Sequence, residues 1–261
     1  MCPEATEKKD TLAGLYGYFY NLYMRTSRLV GLVFLASAAL AQQQQPVEIT
    51  SEPRHHLVFE NEYVRVFDVT VAPRDTTLVH RHNHDYLFVT LGDSDVTSAR
   101  PGEKPVVLQL KDGEVRYTPG NFAHAAINNT DRPFHNTTIE LLKPSTNVKT
   151  CADSCDDLSN PCAGICAQRM KLIFSDQWSV WMITVPPAAQ ADQQLHAVPQ
   201  LVVPVSHLEF GVQAGSADTP IQRGPGQIDW LPSRPTHALI NHAKTSARFV
   251  ALEFNPEKAK P

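Results

Sequence analysis

The stretch GEVRYTPGNFAHAAINN, residues 113–129, occurs twice in this chain. Its second copy, GQIDWLPSRPTHALINH at 226–242, keeps a glycine, a proline, a histidine and an asparagine in register. The regions before these copies also match, since LVFENEYVRVFDVTVAP at 57–73 resembles LIFSDQWSVWMITVPP at 172–187. The chain therefore contains two copies of one structural unit.

Each copy consists of short segments rich in Val, Ile, Thr, Phe and Tyr, separated by Pro, Gly, Asp and Asn. No sustained helical periodicity runs through them, which is typical of antiparallel β-structure. A unit of this size suits a small barrel or sandwich that buries a core of its own. We predict an all-β fold with unit 1 at 46–143, a connector at 144–170 and unit 2 at 171–257.

The connector holds a cluster of cysteines, CADSCDDLSNPCAGIC, between Cys151 and Cys166. An even, clustered set in an exported chain favours two disulfides, although the sequence cannot choose among the three pairings. A zinc site is the alternative, but common zinc sites prefer shorter C-x2-C spacings.

The N-terminal 41 residues are interpreted as an extension followed by a signal peptide. The stretch MRTSRLVGLVFLASAALA at 24–41 has two arginines, a short apolar run and small residues at its end, as secretory signal peptides do. A membrane anchor is the weaker interpretation because about 20 apolar residues are needed to cross a bilayer. We expect translation to start at Met24, cleavage after Ala41 and a secreted or periplasmic protein without a stable membrane anchor.

Histidines dominate the stretch VHRHNHDYLFVTLG at 79–92. Side chains alternate faces along a β-strand, so His80 and His82 point the same way. Two imidazoles become a metal site when a neighbouring strand adds a third ligand, and His124 follows a Pro-Gly-Asn turn that supports such a strand. A nucleic-acid partner is not expected, because the net charge is -4 and the pI is about 6.2.

These residues resemble the two sequence motifs of the cupins. RDTTLVHRHNHDYLFVTLG at 74–92 matches the first motif at two histidines and the final glycine, and GEVRYTPGNFAHAAIN matches the second; the matching residues are His80, His82, Gly92, Gly113, Pro119, His124 and Asn128. Arg74 and Asn121 stand where the family usually has glycine. The resemblance implies a bicupin with two tandem jelly-roll barrels, also called double-stranded β-helices, and one divalent transition metal in unit 1.

The fourth metal ligand is where this chain departs from the family pattern. Counting back from Gly92 places Asp85 at the position of the usual glutamate, but its spacing from His82 is too short. His84 would share the face of the other histidines if the strand continued, and Tyr86 is a third alternative. We predict His84 and Asp85 as further ligands or as the groups that transfer protons at the metal.

Unit 2 has lost much of the ligand set and is predicted to be degenerate. Its residues at the positions of His80, His82, His84, Asp85 and His124 are Gln194, His196, Val198, Pro199 and His237. Two imidazoles are too few for the site predicted in unit 1.

A three-histidine site leaves positions open for water or substrate, and it suits transition metals better than calcium or magnesium. The resemblance implies an enzyme acting on a small organic or sugar-derived molecule, and we favour a dioxygenase-like oxidoreductase. A metal-dependent isomerase, lyase or decarboxylase and a non-catalytic ligand-binding protein are the alternatives. Copper or manganese is favoured, with iron, zinc and nickel left open, as is a homodimer.

Overall fold

The computed structural model describes residues 45–151, 167–191, 198–214, 217–233 and 238–255. These ranges contain strands and one 3-10 turn at Ile49–Ser51, without an α-helix, so the predicted all-β class is confirmed. Within them, no helix is long and apolar enough to cross a membrane. The predicted signal peptide and three of the four clustered cysteines lie outside the described residues, so export and disulfides stay predictions.

The first barrel is built from two five-stranded sheets, ordered β1-β4-β9-β6-β7 and β2-β3-β10-β5-β8. Its strands are β1 (Val47–Glu48), β2 (His55–Glu60), β3 (Val64–Val71), β4 (His80–His82), β5 (Tyr86–Leu91), β6 (Ser94–Ala99), β7 (Val106–Leu110), β8 (Val115–Thr118), β9 (Phe122–Asn128) and β10 (Phe134–Leu141). Most pairs are antiparallel, as in a jelly roll; β1 and β4 are parallel.

The second barrel has a six-stranded sheet, β11-β12-β13-β20-β15-β18, and a four-stranded sheet, β14-β19-β16-β17. Its strands are β11 (Lys149–Thr150), β12 (Gln168–Phe174), β13 (Trp178–Val185), β14 (Gln190–Ala191), β15 (Gln200–Pro204), β16 (Leu208–Ala214), β17 (Ala217–Arg223), β18 (Asp229–Leu231), β19 (Ala238–Asn241) and β20 (Ala247–Phe254). The first residues of β12 fall inside the segment predicted as the connector.

The same asparagine closes the same loop in both barrels. Asn128 donates from Nδ2 to the carbonyl oxygens of Val71, Ala72 and Arg132 at 2.7 to 3.1 Å. Asn241 makes the corresponding set in the second barrel, with acceptors Val185, Pro186 and Thr245. The sequence repeat is therefore a repeat of structure.

A shared hydrophobic core joins the two barrels. Strand β3 is buried on both faces: Val64 and Val66 belong to the shared core, whereas Phe67 and Val69 face the interior of the first barrel. Residues of the second barrel complete the shared core; among them are Ile173, Trp178, Val180, Leu201, Val203 and Leu252. The sheets containing β3 and β13 thus pack face to face, and the described residues from Pro46 onward form one compact unit.

Two glycines of the repeat lie at equivalent places in this contact. Gly113 and Gly226 have φ angles of 78° and 77°, a left-handed conformation that glycine adopts without strain. A Cβ on Gly113 would lie 2.8 Å from Nη2 of Arg248, and one on Gly226 would lie 2.9 Å from Cδ1 of Leu91. Each barrel therefore presents a repeat glycine to the other, as expected for two copies related by an approximate two-fold axis.

Candidate metal centre

Three buried histidines converge inside the first barrel. His80 and His82 lie on one face of β4, and β9 pairs with β4 so that His124 stands opposite His80. One ring nitrogen of each histidine lies within 4.8 Å of the others. This is the group predicted from the sequence, and its three nitrogen donors suit a divalent transition metal.

Hydrogen bonds fix two of the three rings. His80 Nδ1 lies 2.9 Å from the Leu78 carbonyl oxygen, and His124 Nδ1 lies 2.9 Å from Oγ of Ser98. A hydrogen bond at one ring nitrogen selects the tautomer of the imidazole and leaves its other nitrogen available to bind a metal. Nε2 of His80 is buried and has no hydrogen-bond partner within the described part of the chain. An unpaired buried nitrogen costs free energy, and a metal bound there would offset that cost.

Burial favours the uncharged imidazoles that a metal requires. Removal from water is the main cause of the low pKa values, which are about 4 for His80 and about 3 for His124. Burial and the neighbouring histidines also lower the pKa of His82. All three rings are therefore neutral near pH 7 and available as ligands.

The structure does not bring His84 and Asp85 into this group. Strand β4 ends at His82, so the alternation of side chains that would align His84 stops there. The Asp85 carboxylate accepts hydrogen bonds from the Tyr117 hydroxyl, at 2.5 Å, and from the Gly120 backbone N–H, at 2.9 Å. Asp85 therefore holds the turn before β9.

Both unusual residues of the motifs have a left-handed backbone conformation, Asn121 in this turn and Arg74 in a separate turn that follows β3. Asn121 and Arg74, which replace family glycines, have φ angles of 63° and 59°. Asparagine tolerates this left-handed conformation better than most residues. The Asn121 N–H donates to the His82 carbonyl oxygen at 2.7 Å, so the turn fastens the end of β4.

Tyr86, the third alternative for the fourth ligand, contacts the histidine group directly. It lies at the start of β5, and its ring stacks on that of His82 with centroids 4.0 Å apart. Burial raises the pKa of Tyr86 to about 12, so its hydroxyl keeps its proton near pH 7. The ring supports His82 by packing.

The sequence analysis missed a fourth histidine next to the group. His55 is buried at the start of β2, and its ring centroid lies 4.5 Å from that of His80. Its Nδ1 is 2.7 Å from Oε2 of the buried Glu52. Burial alone would raise the pKa of Glu52, but hydrogen bonds from His55 and from the Arg54 N–H outweigh it and lower the pKa to about 2. His55 lies outside both motifs, so no spacing marked it.

The histidines open into a cavity of about 420 Å³. Its walls are largely apolar and aromatic, and the aromatic lining residues other than histidine are Tyr86, Phe88, Tyr117, Phe122 and Phe134. Cavities of this size and character hold small organic ligands. In the second barrel, His196 and His237 lie outside the described residues, so its predicted degeneracy stays a prediction.

No protein-family model and no curated protein matches the chain. Solved structures do match. AerE from Microcystis aeruginosa is 12% identical and covers 78% of this chain and 98% of its own, with a TM-score of 0.52. A mutant of salicylate 1,2-dioxygenase from Pseudoaminobacter salicylatoxidans, in complex with gentisate, is 13% identical over 97% of this chain and 94% of its own, also at 0.52.

Vicilin from Corylus avellana, the hazelnut, reaches the same TM-score of 0.52 at 10% identity, over 78% of each chain. At such low identity these likenesses concern the fold, and the fold hosts different functions. The chain has the fold of tandem cupin barrels, as the two motifs predicted.

Proposed function

We propose that the first barrel binds one divalent transition metal through His80, His82 and His124 and catalyses the oxidation of a small organic molecule. The observation that carries this proposal is the convergence of three neutral, buried imidazoles on the wall of a cavity large enough for a small organic molecule. Three protein ligands leave coordination positions for other molecules, which a purely structural metal site does not need.

The residues around the group have separate tasks in this proposal. Ser98 and the Leu78 carbonyl oxygen orient two of the ligand rings, and Tyr86 packs against the third. The aromatic and aliphatic side chains of the cavity wall offer an apolar surface to an organic ligand. Bound there, a metal of the copper, manganese or iron type supplies a Lewis acid that also exchanges electrons.

The proposed metal follows from the proposed route of export. The predicted signal peptide implies that the chain acquires its metal after folding outside the cytoplasm. Three nitrogen ligands rank copper first among the divalent ions, and manganese is the other redox-active candidate we favour. The salicylate dioxygenase structure, which holds gentisate in a similar fold, supports a small organic acid as substrate.

The test is to load the protein separately with copper, manganese, iron and zinc and to follow oxygen consumption with catechols, flavonols, oligosaccharides and organic acids. We expect uptake with at least one redox-active metal, lost in His124→Ala. His56→Ala is the matched control, because His56 is exposed on β2 and lies outside the group.

If the protein binds only zinc and isomerises or cleaves a substrate without oxygen, the oxidation proposal is wrong and the isomerase or lyase alternative takes its place. If the protein binds organic ligands but no metal, the alternative of a non-catalytic binding protein takes its place.

A further inference from the structure

The charges at the cavity wall are mostly positive. Arg100, Lys104 and Arg116 line the cavity, together with a single carboxylate, that of Glu103. An anionic ligand is therefore favoured over a neutral or cationic one.

Arg100 is the one of these cations that reaches toward the histidines. Its guanidinium carbon lies 3.9 Å from the centroid of the Phe122 ring, and that ring lies 5.3 Å from the ring of His124. Burial is the main reason for the low pKa of His124, and the charge of Arg100 also contributes. The Phe122 ring thus lies between the guanidinium of Arg100 and the proposed metal centre.

The other charges are less suited to bind a ligand. Nε of Arg116 donates to Glu114 Oε1 at 2.7 Å, so its charge is already paired. Lys104 is exposed in the loop between β6 and β7. The contact of Arg100 with Glu103 is 3.9 Å long between partly exposed groups, so it competes weakly with a ligand.

We propose that Arg100 is the anion-binding residue of this cavity and that the ligand is a small aromatic carboxylate. A planar guanidinium binds a carboxylate through two parallel hydrogen bonds. Phe88 and Phe122 line the same cavity as the histidines, so the wall beside Arg100 offers an apolar surface that suits the ring of such a ligand. The inference rests on the proposed function, because that function places the reacting part of the ligand beside the metal.

The experiment measures binding, not turnover. Metal-loaded full chain is titrated calorimetrically, without oxygen, with salicylate and with its neutral amide, salicylamide. We expect salicylate to bind at least tenfold more tightly than salicylamide, a difference of about 1.4 kcal/mol, since hydrogen bonds between charged partners are stronger than those to a neutral amide. Arg100→Gln should abolish this preference while leaving salicylamide affinity and metal content unchanged.

Lys104→Gln is the matched control, because it removes the same charge from the cavity wall without touching Phe122. We expect it to change salicylate affinity less than threefold. Equal losses in the two variants, equal binding of acid and amide, or no binding of salicylate to the wild type would each overturn the inference. Because this titration excludes oxygen, its result does not depend on turnover. If salicylate binds with this preference but none of the metals supports oxygen uptake with any of the substrates named above, the proposed oxidation is refuted and the role of Arg100 stands.

Discussion

The neighbours of the three histidines hold the rings in an orientation and a protonation state that suit metal ligands. Leu78 and Ser98 contact the outer nitrogens of His80 and His124. Burial removes the rings from water and keeps them neutral. The sequence predicted the three ligands because H-x-H spacing on a strand places both imidazoles on the same face. It could not predict His55, which lies on β2 and is brought to the group by the pairing of β2 with β3.

The lowered histidine pKa values predict how stability depends on pH. In the unfolded chain a histidine takes up a proton near pH 6.5, whereas folded His80 does so only near pH 4. The unfolded state therefore binds more protons between these values, and the free energy of unfolding of the metal-free protein should fall as the pH falls from 6.5 toward 4. Urea unfolding at several pH values measures this dependence of the free energy of unfolding on pH.

His80→Gln, which removes one titrating ring, should reduce that dependence on pH. The exposed-site variant His56→Ala should keep the wild-type slope. A metal-free protein whose stability is constant from pH 6.5 to 4 would contradict the burial of neutral imidazoles.

At the scale of single elements, β4 is only three residues long and depends on the turn that precedes β9. That turn is fixed to β4 by the Asn121 N–H and to Asp85 by the Gly120 N–H. The cupin motif predicted the turn, and the chain departs from the motif by placing asparagine at a left-handed position. The sequence left open whether β4 continues through His84, because a periodic pattern does not show where a strand ends; in the structure β4 ends at His82.

Gly120→Ala tests this connection. A Cβ at Gly120 would lie 2.4 Å from the backbone carbonyl carbon of His84, and neither segment can yield without moving the end of β4. We expect a loss of stability of about 2 kcal/mol or more and weaker metal binding, measured by urea unfolding and metal titration.

Gly224→Ala is the matched control for this substitution. Its nearest neighbour would be Oε1 of Gln227 at 3.5 Å, an ordinary contact, so we expect a change within about 0.5 kcal/mol. If both variants bound metal as the wild type does, the turn would not be what positions His82.

For the whole molecule, the shared core makes the two barrels one folding unit. The repeat predicted two barrels because Gly113 and Gly226 stand in the same register. It could not predict that Val64 and Leu201 meet in one core, because outward-facing apolar residues on a strand do not identify their partner. The second barrel therefore supports the first through packing.

We expect both barrels to unfold together. All three tryptophans belong to the second barrel. Trp178 lies in the shared core and Trp230 stacks on Tyr63, so tryptophan fluorescence reports the second barrel and its contact with the first, while metal release reports the first. Leu201→Ala, in the shared core of the second barrel, should lower both urea midpoints equally and cost about 2–5 kcal/mol. Val107→Ala, at a side chain 60% exposed, should change neither. Fluorescence changing well before metal release would show independent barrels.

The most direct test of metal binding by the three histidines is the metal content of the protein purified from its native host, measured by elemental analysis. We predict about one divalent transition metal ion per chain. The variants His80→Ala, His82→Ala and His124→Ala, checked for folding by circular dichroism, should each retain less than about a tenth of it, because two imidazoles hold such ions weakly. His56→Ala should retain all of it. Metal binding by the three histidines would be contradicted by wild-type metal content in the folded His124→Ala protein, or by a wild type that holds no metal after incubation with copper, manganese, iron and zinc.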